Sequence, residues 1–90
     1  MIARQYTFTV VLEPDQEAGG FAVHVPALPG CHTEGDTREE AVAMAQDAIT
    51  AYVESLIKHN EPIPVEPDPS GPVRITVTIQ TEVQSQPTAA

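Results

Sequence analysis

Only one stretch of this chain carries helical periodicity; every other apolar pattern in it alternates residue by residue. From Arg38 to His59, the residues Ala41, Val42, Ala45, Ala48, Ile49, Tyr52, Val53, Leu56 and Ile57 recur at 3.6-residue spacing. Thr37 suits the N-cap, and Glu40 three residues later completes a capping box. Glu39 and Glu40 also suit the positive end of the helix dipole. Glu54 and Lys58 form an i,i+4 pair in the favourable order. Lys58, His59 and Asn60 suit the C-terminal end, and Pro62 bars continuation. At about 1.5 Å per residue this helix is roughly 33 Å long.

The strands follow from period two. Over residues 2–13, Tyr6, Phe8, Val10 and Leu12 alternate with Thr7, Thr9 and Val11. A polar hairpin loop, residues 14–20, ends in two glycines. Over residues 20–26, Phe21, Val23 and Val25 share one face, and Ala22 and His24 the other. Ala27-Leu28-Pro29-Gly30 is a turn. A short third strand spans residues 31–35. After the helix, Pro62, Pro64, Pro67, Pro69 and Pro72 make residues 60–72 an extended, stiff connector. Residues 73–81 form the last strand, with Val73, Ile75, Val77 and Ile79 on one face.

The order is βββαβ, and a single helix must cover every apolar strand face. The expected fold is therefore α+β in two layers, one long helix on a four-stranded mixed sheet. The first three strands form an antiparallel meander. The last follows a helical crossover and is placed parallel to strand one, beside it, with a right-handed connection. The far sheet face, with Thr7, Thr9, Val11, His24, Thr76 and Thr78, stays uncovered. Such a face and its free edges suit self-association, so a homodimer or tetramer is expected. One domain covers residues 1–82, and residues 83–90 form a disordered polar tail.

The charge balance limits the partners. Four basic residues face 13 acidic ones, for a net charge of −9. Nucleic-acid phosphates are repelled by such a surface, whereas a basic protein is attracted. The lone Cys31 excludes an internal disulfide. No apolar run reaches the ~18 residues of a membrane span, and residues 1–5 do not read as a signal peptide. A cytoplasmic protein is expected.

The chemistry-bearing residues point to binding. Cys31 and His32 are adjacent on a strand, so their side chains leave on opposite faces. Cys31 is read as a small buried filler. His24 and His32, with Glu34 or Asp36, match no closed zinc spacing, and they are read as surface or partner contacts. No metal or cofactor is expected. Gly30 and Gly35 flank the third strand without the basic residues of a phosphate cradle, since Arg38 stands amid Asp36, Glu39 and Glu40. Gly30 closes the turn, and Gly35 lets the chain swing into the helix cap.

Pro26, Leu28, Pro29, Gly30, Cys31, Thr33, Gly35, Asp36, Thr37, Glu40 and Ala41 occur in the order of one family's pattern, behind the Gly20-Phe21 start of a strand. In this block the chain resembles the HicB antitoxins of type II toxin–antitoxin systems, over roughly residues 3–82. The resemblance implies a partial ribonuclease H-like fold. It implies dimers or higher oligomers, and a partner: a small basic HicA-like toxin, an mRNA interferase whose RNA-cleaving site the antitoxin occludes. The candidate contacts are then His24, His32, Glu34, Asp36, Glu39 and Glu40. Many family members add a DNA-binding domain. No DNA-reading helix fits after Thr81, so direct DNA binding by this chain is not expected. The alternative is a solitary oligomeric binding or regulatory module without a toxin.

A ribonuclease H-like fold also raises nuclease chemistry, which needs several carboxylates converging on two metal ions. The middle of strand one offers Thr7, Phe8, Thr9 and Val10 where an acid is required. Asp47 and Glu54 share a helix face beside the apolar stripe. The chain is therefore read as non-enzymatic.

Overall fold

The computed structural model describes residues 2–66, 68–69 and 71–81; the expected tail at residues 83–90 lies outside them. Its elements are β1 (Ile2–Thr9), β2 (Val11–Pro14), β3 (Phe21–His24), β4 (His32–Gly35), α1 (Arg38–Lys58) and β5 (Arg74–Thr81). β1 and β2 are two halves of the expected first strand, interrupted at Val10. Counted as one strand path, they restore the βββαβ order.

Alternation holds where burial is greatest. Phe8, Val10, Val23, Val25, Leu28 and Cys31 meet Val73, Ile75, Val77 and Ile79 beneath the helix residues Ala41, Ala45, Ile49 and Val53. No polar side chain is buried among the described residues. Burying each large aliphatic or aromatic residue stabilises the fold by about 1.5–3 kcal/mol. Val42, Ala48, Tyr52 and Ile57 widen the helix stripe at its margins.

The sheet differs from expectation in two respects: the strands form two sheets, not one of four strands, and no pair is parallel. Every strand pair is antiparallel, in a two-stranded β1–β5 sheet and a three-stranded β2–β3–β4 sheet. β5 does lie beside strand one, but reversed, with Thr9 opposite Arg74 and Ile2 opposite Thr81. The mixed, parallel arrangement is therefore wrong, and the connector is the cause. α1 returns the chain towards the beginning of β1, where a parallel strand would start. The proline-rich segment then runs back along β1. Pro64, Val65, Glu66 and Pro69 line a shallow hollow with Gln5, Tyr6, Thr7 and Phe8.

Glu66 fixes that path. Its carboxylate accepts the Thr9 N–H at 2.9 Å and the Thr9 hydroxyl. The chain reverses at Gly71 (φ 92°) and enters β5 from the far end. The Val10 N–H donates to the Val73 carbonyl at 3.0 Å, joining the two sheets where strand one breaks. On the outer face the Thr7 and Thr76 hydroxyls share a hydrogen bond of 2.7 Å.

The helix caps form as the residues dictate. The Glu40 N–H donates to Thr37 Oγ1 at 3.0 Å. The reciprocal bond shifts by one residue: the Glu40 carboxylate accepts the Asp36 N–H at 2.6 Å. At the other end Asn60 takes a left-handed φ of 58°. The Asn60 N–H then bonds the Ile57 carbonyl and the Glu61 N–H the Leu56 carbonyl, a Schellman ending.

Two glycines set the distance between helix and sheet. A Cβ on Gly35 would lie 2.5 Å from the backbone nitrogen of Ala41. A Cβ on Gly20 would lie 2.5 Å from the Gly35 carbonyl oxygen. Gly35 is thus required by close approach of α1. Gly30 does close its turn, at φ 81°, with open space around it.

Two measurements test this account. Gly35→Ala is expected to destabilise the protein by about 3 kcal/mol, at the top of the overpacking range, because backbone must move. Gly30→Ala, strained but unobstructed, is expected to cost only about 1–2 kcal/mol; urea denaturation giving equal losses would refute the distinction. Glu66→Ala is expected to cost about 1–2 kcal/mol and to raise amide exchange at Thr9 and along the connector. Unchanged exchange there would show that the clamp does not hold the segment.

Candidate partner-binding surface

The six candidate residues are all exposed, and the fold sorts them into two groups. Glu34, Asp36 and Glu40 gather around an open hollow, which Asp15, Ala18, Phe21, Ala22 and Met44 also line. Glu34 arrives on the edge strand β4, opposite Ala22 of β3. Asp36 and Glu40 arrive through the helix cap. Glu39 lies in the same first turn of α1 but does not line the hollow. His24 and His32 stand apart from the hollow, directly opposite one another on β3 and β4.

Asp15 is the acidic residue that sequence reading missed. It belongs to the hairpin loop, where its carboxylate accepts the N–H groups of Glu17 and Ala18, both at 3.1 Å. The Asp15 N–H donates to the Gly20 carbonyl at 2.9 Å, which closes the hairpin and carries the loop to the end of β3. Met44 was missed because it lies off the apolar helix stripe; it is 42% exposed at the rim.

The hollow therefore combines four carboxylates with a half-buried Phe21 and an exposed thioether, and no basic side chain lines it. The first turn of α1 uses part of this charge, since Glu40 is engaged with the Asp36 N–H. A surface of this kind receives lysine or arginine side chains together with their aliphatic stems.

The motif turn below it is structural. Leu28 is completely buried, and the Leu28 carbonyl accepts the Cys31 N–H at 2.9 Å. The Tyr52 hydroxyl donates to the Pro29 carbonyl at 2.7 Å, tying the turn to α1. Cys31 is buried, as expected of a filler, and burial pushes its thiol up, away from the reactive thiolate. His32 beside it is exposed. Asp47, Glu54 and Glu13 are also exposed, and among the described residues no three His, Cys, Asp or Glu groups stand close enough to hold a metal ion. No described helix is long and apolar enough to cross a membrane.

The chain is similar in sequence and fold to known proteins. The family model for the HicB-like antitoxin of bacterial toxin–antitoxin systems matches residues 8–85. A UPF0150 protein of Thermoplasma acidophilum is 53% identical over 57 residues, 63% of this chain and 81% of that protein. Antitoxin HicB 1 of Photorhabdus laumondii is 44% identical over 70 residues, 78% of this chain and 44% of that protein. The crystal structure of the N-terminal domain of Burkholderia pseudomallei antitoxin HicB shares the fold, with a TM-score of 0.56 at 22% identity, over 89% of this chain and all of that one. The chain belongs to the HicB-like antitoxin family of bacterial toxin–antitoxin systems.

Proposed function

We propose that this chain binds and neutralises a cognate HicA-type mRNA interferase by protein–protein contact, without catalysing a reaction itself. The observation that carries this reading is the acidic hollow formed by Asp15, Glu34, Asp36 and Glu40 on a chain of net charge −9. A protein that cleaves RNA must present a basic surface to phosphates. An acidic domain competes for that surface and shields it. Glu34, Asp36, Glu39 and Glu40 are the proposed contacts, with His24 and His32 on the adjoining sheet face.

The same reading places the protein in the cytoplasm, as a homodimer or tetramer with the partial ribonuclease H-like architecture that the resemblance implies. It assigns no operator contact to this chain, whose basic residues number four.

A second reading has its own support. The Thermoplasma protein and a UPF0150 protein of Synechocystis are matched over 81% and 76% of their lengths, whereas the match to antitoxin HicB 1 spans 44% of that protein. Relatives matched over most of their own length go with the reading of a solitary oligomeric binding module without a toxin.

Co-expression with the tagged product of a short neighbouring gene separates the two. The antitoxin reading expects co-purification and relief of the toxin's growth arrest; no complex at micromolar concentration would sink it. Within a complex, Glu34→Lys is expected to slow association about tenfold at low salt. Raising ionic strength from ~0.05 to ~0.5 M is expected to slow the wild-type protein as well. Association unchanged in both cases would remove the acidic hollow from the interface.

A further inference from the structure

His24 and His32 are eight positions apart in sequence, yet the β3–β4 register sets them face to face. The hydrogen-bond parity shows how closely. The Val25 N–H donates to the Cys31 carbonyl at 3.0 Å, so Val25 and Cys31 occupy a hydrogen-bonded pair. On the other side of β3, the Asp15 N–H donates to the Gly20 carbonyl, which fixes the even-numbered residues of β3 as those bonded towards β2. His24 and His32 are therefore a non-hydrogen-bonded pair across β3 and β4. In such a pair the Cα atoms stand about 4.5 Å apart and the side chains are at their closest.

Both imidazoles are exposed, on the sheet face opposite α1. Neither residue makes a side-chain hydrogen bond with another described residue, whereas the third histidine, His59, has its Nδ1 2.8 Å from the Ser55 carbonyl. On that face Ala22 and the Glu34 carboxylate form the next pair along, and Val11 lies beside His24 on β2. The surrounding charge of −9 concentrates cations at the surface.

We propose that His24 and His32 form a two-histidine clamp for a divalent transition-metal ion, of the zinc, copper or nickel class that imidazole favours. Two imidazole nitrogens from opposed strands supply two ligands, and the remaining positions are left to water. No third His, Cys, Asp or Glu stands close enough among the described residues to close the site. An open site of this kind exchanges its ion readily and leaves room for a ligand from a bound partner. The bound ion would cross-link β3 to β4 at the end nearest the Gly30 turn. This inference does not depend on a toxin partner.

The test is calorimetric titration of the untagged protein with zinc chloride, with magnesium chloride as the hard-cation control. One zinc per chain is expected, or one per two chains if copies share the ion, with no heat from magnesium. His24→Asn and His32→Asn are each expected to weaken zinc binding at least tenfold, and His59→Asn to leave it unchanged. Both substituted side chains are exposed, so the variants are expected to fold, and thermal melts with and without zinc provide a second readout. A zinc-dependent rise in melting temperature should occur in the wild type and vanish in either variant. Zinc affinity retained in His24→Asn or in His32→Asn, or lost in His59→Asn, would overturn the proposal, as would no zinc binding at all by the wild type.

Discussion

The start of α1 rests on the backbone of β4, and the rest of the molecule is arranged around that contact. Gly35 has no side chain to hold the helix away, and Ala41 and Ala45 are small enough to bring the helix axis in. Gly20 extends the same close packing by one strand, because its Cα faces the Gly35 carbonyl. The broader residues Ile49 and Val53 follow only further along the helix, where β5 supplies Ile75, Val77 and Ile79. The helix is thus tight against the sheet at its start, and larger apolar side chains fill the layer further along. Small-to-large changes at the tight end act on backbone, which has little room to yield.

The second constraint is the path of the connector. A helical crossover delivers a chain to the end of the sheet where a parallel strand begins. Here the proline-rich segment carries it back before the strand starts, and the Glu66 carboxylate holds it at Thr9. The prolines keep this segment extended at little entropic cost. They also withhold N–H groups from any ladder, so the segment lies along β1 without joining a sheet. The direction of β5 is therefore set by the length and stiffness of a segment that forms no regular element.

The same helix start that packs against β4 also gathers the charge. Asp36 and Glu40 are drawn together by the cap itself, one through its N–H and the other through its carboxylate. Glu34 precedes them on the edge strand, and the hairpin loop carries Asp15 to the same place. The positive end of the helix dipole favours acidic residues there, and this cluster remains exposed while serving it. On the same two strands, further towards the Gly30 turn, His24 and His32 are brought together by register alone. Helix packing, acidic hollow and histidine pair all depend on the short β3–β4 hairpin and its buried Leu28.

Local physics made much of this legible in the sequence. Thr37, Glu40 and Asn60 mark the helix ends through short-range hydrogen bonds, and alternation marks the strand faces. The turn at Gly30 and the burial of Cys31 follow in the same way. The break in strand one at Val10, the antiparallel β5 and the grip of Glu66 on Thr9 were not legible, because each joins residues far apart in the chain, from 57 positions for Thr9 and Glu66 upwards, through non-local pairing. Asp15 and Met44 were missed at the acidic hollow for the same reason: neither has a local signature, and only the closed hairpin and the docked helix place them there. Composition and pattern by themselves determined an acidic α+β fold with a capped helix and a cluster of exposed carboxylates. Tertiary structure decided which carboxylates share a hollow, that two histidines face each other, and which way the last strand runs, because register and chain reversal depend on contacts that no single segment contains.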